Sequence, residues 1–182
     1  LEDAETTDKM IVSLGNLFRH NLRTKQQEVT LEEELDGLED YIYLQQMRFD
    51  GRITVKKEIL VAPARARLPS FTLQPVIENA FSHGLKACEE GGRILLRVWR
   101  QGRMLYVTVA DNGKGMTEEE LAALSEKMRQ SEQTGKSIGL GNIFRRVSML
   151  YPDTGKMQVF SRAGHGTVIR FEIPQGEEEE RA

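Results

Sequence analysis

Three polar side chains that could bind a metal ion and phosphates recur at helical spacing along a predicted helix, Pro69–Leu85, and the residue that follows it. Asn79, His83 and Lys86 stand at positions i, i+4 and i+7, which places them on one side of a helix. The other side is apolar, and its members are Leu73, Ile77, Ala80, Phe81 and Gly84. A carboxamide, an imidazole and an amine on one stripe suit phosphate and metal binding. The alternative is an ordinary solvated face.

A second candidate is a carboxylate at the end of a predicted strand, in the segment Asp111–Met116. Alternation along the strand puts Asp111 on the same side as the apolar residues before it, so the carboxylate would lie at the edge of a core. Such burial is costly unless a donor meets it, and the amino group of a nucleobase is such a donor. Gly113 and Gly115 would let the backbone approach a ligand closely. The alternative is a common Asp-Asn-Gly turn.

Glycines also border the predicted start of a helix, at Gly139 and Gly141 on either side of Leu140. Backbone amides at such a helix N-terminus form an anion site. The nearby Gly135-Lys136-Ser137 matches the end of a P-loop, but Gln130 stands where the first glycine of that motif must be. The dinucleotide fingerprint fails as well, because its third glycine is replaced by phenylalanine.

A fourth candidate is the segment Gly164–Thr167, which precedes the last predicted strand. Thr167 shares a strand face with apolar residues, so its hydroxyl would lie at the mouth of the core. There it could pair with Asp111 or with a base. The alternative is a glycine turn followed by a β-branched residue that begins the strand.

The elements that would position these residues alternate between helices and strands. Two helices are predicted in the first fifty residues, and Thr30 with Glu33 has the pattern of a capping box at the start of the second. The apolar stripe of the first consists of Ile11, Leu14, Phe18 and Leu22. The later helices are Pro69–Leu85, Thr117–Gln130 and Gly139–Leu150, with a loop at Ser131–Ser137. The strands are Arg52–Leu60, Arg93–Arg100, Met104–Asp111, Met157–Ser161 and Thr167–Ile173. This order predicts one mixed sheet with helices against it.

The composition fits one globular core with a helical extension. Of 182 residues 39% are hydrophobic and 29% charged, and the net charge of -3 disfavours a nucleic-acid-binding module. Cys88 is the only cysteine, which excludes an intrachain disulfide and favours a reducing compartment. No apolar run reaches the length of a membrane span. We expect a helical stalk at 1–50, a sheet domain at 51–176 and a disordered acidic tail at 177–182. Because the sequence starts with Leu1 and not with methionine, we expect a fragment of a longer protein.

In this order, the four segments resemble the GHKL ATPases, the superfamily of gyrase, histidine kinases and MutL. They look like its N, G1, G2 and G3 boxes, at Asn79, Asp111–Gly115, Gly139–Gly141 and Gly164–Thr167. The similarity extends to LytS-type sensor histidine kinases and covers nearly the whole chain. It is carried by Leu73–Ala80 with His83-Gly84, Leu31–Leu35, Tyr43-Leu44, Arg48-Phe49, Gly139–Asn142 and Arg145-Arg146.

The resemblance implies an α/β fold, a two-layer α/β sandwich of the Bergerat ATP-binding type, preceded by an N-terminal helical pair. ATP would lie between the helix layer and a flexible lid over residues 116–138. Asn79 would coordinate Mg²⁺ bound to the phosphates, with Glu78 in a supporting catalytic role. Asp111 would accept from the adenine amino group, with Thr167 nearby. The other nucleotide-binding residues implied are His83, Lys86, Gly113, Gly115, Gly139, Leu140 and Gly141.

The implied activity is transfer of the ATP γ-phosphoryl group to a histidine and then to the receiver domain of a response regulator. The family's acceptor segment, Asn-Pro-His-Phe-like, does not occur in this sequence. His20 lies opposite the apolar stripe and His165 between turn glycines, so neither is expected to accept phosphate. We therefore expect the acceptor to lie upstream of this chain. Arg145 and Arg146 are further candidates for phosphate contact, although arginine pairs on helices are usually solvated.

The resemblance also implies the setting of the domain. We expect a homodimer in the full-length protein and a cytoplasmic kinase domain, with a membrane reached only through a possible upstream sensor region. Nucleic acid is not an expected partner. Two alternatives stay open: a GHKL ATPase or anti-sigma-type serine kinase, and a degenerate nucleotide-binding regulatory module. A helical stalk disfavours the free-standing serine kinase, and the polar residues kept in all four boxes disfavour the degenerate module.

Overall fold

The computed structural model describes residues 8–16, 26–134 and 139–176, with the backbone alone for 131–134. Its helices are α1 (residues 8–16), α2 (Leu31–Arg48), α3 (Leu73–Asn79), α4 (Glu118–Thr134) and α5 (Leu140–Leu150). A π-helical turn, Ala80–Gly84, continues α3. The strands are β1 (Glu28–Thr30), β2 (Ile53–Ile59), β3 (Arg67–Pro69), β4 (Gly92–Gln101), β5 (Met104–Asp111), β6 (Lys156–Ser161) and β7 (Thr167–Pro174).

A five-stranded mixed sheet in the order β2-β4-β5-β7-β6 forms the centre of the molecule. Strands β2 and β4 are parallel, and the other neighbours are antiparallel. The predicted mixed sheet is therefore confirmed. A second, two-stranded sheet joins β1 to β3. Sequence patterns missed it, because strands of three residues are too short to show alternation.

The core lies between one face of the sheet and the helices α2, α3 and α5. Val107 of β5 is opposite Val98 of β4 and Phe171 of β7, and all three are fully buried. Leu38 of α2, Ile77 of α3 and Val147 of α5 belong to the same hydrophobic cluster. This packing confirms the predicted arrangement of two layers, one of strands and one of helices.

Helix α2 packs into this core as part of the same unit. The predicted capping box is confirmed, since the Glu33 amide donates to Thr30 Oγ1 at 3.2 Å and the Thr30 amide donates to Glu33 Oε2 at 2.8 Å. Leu31 and Leu38 are buried in the cluster that includes the sheet. The predicted division of the chain at residue 50 is therefore not a division of the hydrophobic core.

Two predicted boundaries are wrong. The third helix begins at Leu73 rather than Pro69, because Pro69 ends β3 and the chain turns through Phe71, whose φ is 56°. Pro75 lies in the first turn of α3, as expected. The loop predicted at Ser131–Ser137 is helical over 131–134, where α4 continues, and its remaining residues lie outside the described ranges, as does the acidic tail.

Helix α1 does not bury its predicted apolar stripe within this chain. Ile11 is 63% exposed and Leu14 is 47% exposed, whereas Ser13 is buried. Phe18 and Leu22, the other members of the stripe, lie outside the described residues. The described part of α1 thus presents apolar side chains at the surface, which costs hydration free energy unless something covers them.

Candidate functional site

A cavity of about 440 Å³ opens between α3 and the start of α5. Its lining consists of Phe71, Pro75, Glu78, Asn79, Ser82, His83, Gly139, Leu140, Asn142, Ile143 and Arg146. Two of the segments singled out by sequence, on α3 and at the start of α5, are therefore neighbours in space. The volume is within the range of small-molecule sites.

On the α3 wall, Asn79 is half-buried, and Glu78 and His83 are exposed. The buried side of the helix is confirmed, since Leu73 and Ile77 have no exposed surface. Lys86 is exposed and follows the π-helical turn, outside the cavity lining formed by the described residues. The i, i+7 spacing predicts that Lys86 lies on the same side as Asn79 only in a continuous α-helix. That geometry changes at Ala80 and the chain leaves the helix after Gly84.

On the opposite wall, α5 begins directly at the cavity. Gly139 precedes the helix with φ 66° and ψ -128°, a conformation that favours glycine. Leu140 and Gly141 are buried in the first turn. Helix α5 is held by Ile143 and Val147 in the core, so its N-terminal amides are fixed at the edge of the cavity. Such an N-terminus favours anions.

Asp111 ends β5 as a half-buried carboxylate opposite Thr167 of β7. It accepts from the Gly113 amide at 2.8 Å and from the Thr167 amide. Burial raises the pKa of Asp111, and the two amide donors oppose that shift. Because burial outweighs the two donors, the ionised form is under-solvated. A further donor from a ligand would stabilise it.

Gly84 lies between the cavity and the group formed by Asp111, Gly113 and Thr167, here called the Asp111 cluster. A Cβ at Gly84 would stand 2.7 Å from Asp111 Oδ1, and the Lys114 amide donates to the Gly84 carbonyl at 3.0 Å. A Cβ at Gly113 would overlap that same carbonyl. Glycine at 113 is thus explained by backbone packing inside the protein, where we expected ligand approach. Since His83 lines the cavity and precedes Gly84, the cavity and the Asp111 cluster are adjacent.

Ser161 completes the Asp111 cluster and was not identified from sequence. Its hydroxyl accepts from the Met116 amide at 2.9 Å and donates to the Gly166 carbonyl at 2.9 Å. It also lies 3.0 Å from the Thr167 hydroxyl, which therefore pairs with Ser161. Gly115 is buried against the carbonyl of Arg162. The signal available in the sequence was that Ser161 ends a strand next to the glycine turn.

Arg146, a candidate for phosphate contact from sequence, makes a backbone contact that the sequence did not indicate. It is half-buried on α5, lines the cavity and donates to the Ser70 carbonyl. Burial lowers the pKa of Arg146, and the nearby Glu34 carboxylate opposes this shift. Of the two alternatives for Arg146, the half-buried position in the cavity wall disfavours the solvated helix face.

Comparison with known proteins agrees with this geometry. Residues 70–177 match the family of histidine kinase-, DNA gyrase B- and HSP90-like ATPases, and residues 1–53 match the histidine kinase family. The sensor protein kinase HptS of Staphylococcus aureus is 30% identical over 165 residues, which are 91% of this chain and 32% of the relative. The chain thus spans about a third of the curated relatives that it matches.

Solved histidine kinases share the fold. AdeS of Acinetobacter baumannii gives a TM-score of 0.56 at 12% identity, covering 97% of this chain and 82% of that one. ThkA, in a complex with the response regulator TrrA, gives 0.54 at 20% identity, covering 93% and 49%. Identities this low establish the fold alone. The family match over residues 70–177 shows that the chain belongs to the histidine kinase-, DNA gyrase B- and HSP90-like ATPase family, and the match of residues 1–53 shows that this ATP-binding domain is of the histidine kinase kind.

Proposed function

We propose that this chain binds Mg·ATP and transfers the γ-phosphoryl group to a histidine of the same protein upstream of this sequence. The observation that carries the proposal is the contiguity of two features. An under-solvated carboxylate, Asp111, lies beside Gly84, and a cavity with a carboxamide and a helix N-terminus begins one residue earlier at His83. Base recognition and phosphate binding thus have adjoining sites.

In this proposal Asp111 accepts a hydrogen bond from the adenine amino group, with Thr167 beside the base. Gly113 and Gly115 shape the loop next to it. The phosphates lie at the N-terminus of α5, where amide dipoles favour anions. The residues we assign to that end are Gly139, Leu140, Gly141 and His83, with Lys86 reaching it only if its long side chain extends towards the cavity.

The residues present fit a magnesium ion held chiefly by the nucleotide. The Asn79 carboxamide is half-buried in the cavity wall and offers one neutral oxygen. Within the described ranges, no group of three or more His, Cys, Asp or Glu side chains could hold a metal by itself. A magnesium ion here would keep waters and take phosphate oxygens as its other ligands. Glu78, beside Asn79, is assigned a supporting catalytic role.

The acceptor histidine and the regulator are inferred from relatives. HptS is named a sensor protein kinase, and ThkA is described in complex with a response regulator. We therefore propose a receiver domain as the downstream partner of the whole protein, and a LytS-type kinase as its subgroup. The match of residues 1–53 to histidine kinases disfavours the serine kinase and simple ATPase alternatives.

The exposed face of α1 supports a homodimer of the full-length protein. Met10, Ile11, Val12 and Leu14 are all exposed in this chain, and a second helix would bury them favourably. No helix in the described part of the chain is long and apolar enough to cross a membrane. We propose residues 1–50 as the remnant of the dimerisation and phosphoacceptor region, residues 51–176 as the catalytic domain, and a cytoplasmic location with any membrane anchor upstream.

Phosphoryl transfer is tested by supplying the upstream segment of the full-length protein in trans, with γ-labelled ATP and Mg²⁺. We expect acid-labile label on a histidine of that segment, and none when Asn79→Ala replaces the parent chain. Label that never leaves ATP, although the chain binds it, would support the degenerate module instead. Label that is acid-stable would support a serine kinase.

A further inference from the structure

A buried carboxylate of α2 caps a helix that is distant in sequence. Glu34 is only 5% exposed. Its two oxygens accept from the backbone amides of Phe71 at 2.6 Å, Thr72 at 2.9 Å and Leu73 at 2.8 Å. These amides are at the N-terminus of α3, the helix that carries Asn79.

The residue before α3, Thr72, does not cap the helix with its own side chain, so the acceptor comes from another element. The Thr72 hydroxyl donates to the Pro69 carbonyl at 2.5 Å. The first amides of a helix need an acceptor from outside the helix. A charged acceptor is stronger than a neutral one and is favoured at the positive end of the helix dipole. Glu34 therefore determines where α3 begins and how its first turn is oriented.

The same contact reaches the cavity from two sides. Phe71, whose amide donates a hydrogen bond to Glu34, lines the cavity. Arg146 of α5 also lines it and donates to the carbonyl of Ser70, the adjacent residue. Glu34, the segment 70–73 and Arg146 thus connect α2, α3 and α5. Asn79 lies about 9 Å further along α3 from Leu73.

We propose that Glu34 is a positioning residue, which holds the first turn of α3 and thereby orients the Asn79 carboxamide towards nucleotide-bound metal. This rests on the proposed function, because it assumes that Asn79 binds metal at the phosphates. Hydrophobic packing holds α3 in the core, since Leu73, Val76 and Ile77 are fully buried. The three hydrogen bonds to Glu34 add directional restraints on the first turn of the helix, because hydrogen bonds depend on angle whereas hydrophobic burial is non-directional.

The variant Glu34→Gln tests the proposal, because it keeps the shape and removes the charge. The control is Glu32→Gln, an identical change at an exposed position in the first turn of the same helix. For both variants and the parent, calorimetry measures the affinity for Mg·ATP and for metal-free ADP, at a temperature where circular dichroism shows each chain folded.

We expect Glu34→Gln to weaken Mg·ATP about tenfold, the equivalent of ~1.4 kcal/mol, and metal-free ADP by less than about threefold. Glu32→Gln should change neither affinity. Equal losses for both ligands, or no loss at all, would overturn the positioning role and leave Glu34 as a stability residue. A parent chain that fails to bind Mg·ATP would instead refute the proposed function.

A second measurement needs no variant and decides the matter if Glu34→Gln does not fold. Coupling between two sites is reciprocal, so Mg·ATP bound near Asn79 must stabilise the contacts that orient Asn79. In the parent chain, hydrogen exchange at the amides of residues 71–73 should slow severalfold more with a Mg·ATP analogue than with metal-free ADP. Equal exchange with the two nucleotides would overturn the proposal.

Discussion

Asp111 combines a cost in stability with a capacity for recognition. Its carboxylate receives two backbone donors, yet burial still raises its pKa. The ionised group is thus less well solvated in the folded chain than in water. An adenine amino group would donate a further hydrogen bond to this carboxylate and so stabilise its ionised form.

The stability of the chain should depend on pH through Asp111 in a defined direction. A carboxyl whose pKa is raised by folding binds protons more readily in the folded state. Its unfavourable contribution is therefore absent below the ordinary aspartate pKa of about 3.9 and grows as pH rises through the raised folded value. Relative to Asp111→Asn, the parent should lose unfolding free energy over this window, as measured by urea denaturation from acid to neutral pH.

The control for this pH series is Asp36→Asn, on an exposed position of α2. It should give a nearly constant stability difference from the parent. If Asp111→Asn proves the less stable chain at neutral pH, the two backbone donors suffice for the carboxylate. A ligand donor is then not needed to stabilise its ionised form.

The effect of replacing Asn79 on nucleotide affinity should depend on whether magnesium is present. Its side chain offers a single neutral oxygen in the cavity wall. Asn79→Ala removes that ligand and little packing, so we expect Mg·ATP affinity to fall about tenfold and metal-free ADP affinity to change much less. Calorimetry with the two ligands gives both values, and equal weakening of both would make Asn79 a scaffold residue on a solvated helix face.

At the level of elements, α4 packs against α5 and β6 through few buried side chains. Met128 is buried and Leu124 is partly buried against the core, while most described neighbours along the helix are exposed. A helix held by so few apolar contacts opens at low free-energy cost. The lid predicted over residues 116–138 thus contains a helix, and Ile138 and the segment 135–137 lie outside the described residues.

Limited trypsin digestion should report this opening. Without nucleotide we expect cuts at Lys127, Arg129 or Lys136, of which Lys136 lies outside the described residues. A Mg·ATP analogue should slow them. Arg65, exposed in the loop before β3, is the control site and should be cut at an unchanged rate. Met128→Ala should speed the α4 cuts, since truncating a buried methionine costs about 2–5 kcal/mol. Unchanged cutting with nucleotide would mean that the segment does not close over the ligand.

Local patterns predicted the elements that are determined locally. The hairpin of β4 and β5 follows from alternation and a glycine turn, and the start of α2 follows from Thr30 and Glu33. The start of α3 was misplaced because its capping acid, Glu34, belongs to another helix. The role of Gly84 and the hydroxyl of Ser161 depend on segments that meet only after folding. Such contacts leave no periodic signal in the sequence.

For the whole molecule, α2 and the ATP-binding domain form one packed unit in the described chain. Leu31 and Leu38 of α2 share a cluster with the sheet, and Glu34 of the same helix caps α3. Residues 1–53 and 70–177 match two different family models, yet the contact between them is a continuous core. A displacement of α2 would therefore shift the start of α3, which borders the cavity.

The chain alone should not phosphorylate itself. Phosphoryl transfer needs a nucleophile in line with the γ-phosphate. His165 sits in the glycine turn with its ring nitrogen 3.0 Å from the Ala163 carbonyl, and His20 lies outside the described residues. Incubation with γ-labelled ATP should leave the chain unlabelled, and His20→Ala should change nothing. Acid-labile label on His20 would contradict the placement of the acceptor upstream.

The proposed ATP site around Asp111 predicts a definite outcome for calorimetric titration of the parent chain and Asp111→Asn with Mg·ATP and Mg·GTP. The parent should prefer ATP, because the six-position oxygen of guanine would face the carboxylate. Loss of a charge-assisted bond, about 1.5–3 kcal/mol, should weaken ATP by about one to two decades in Asp111→Asn. Equal ATP affinity in parent and variant would contradict the account and remove Asp111 from the site.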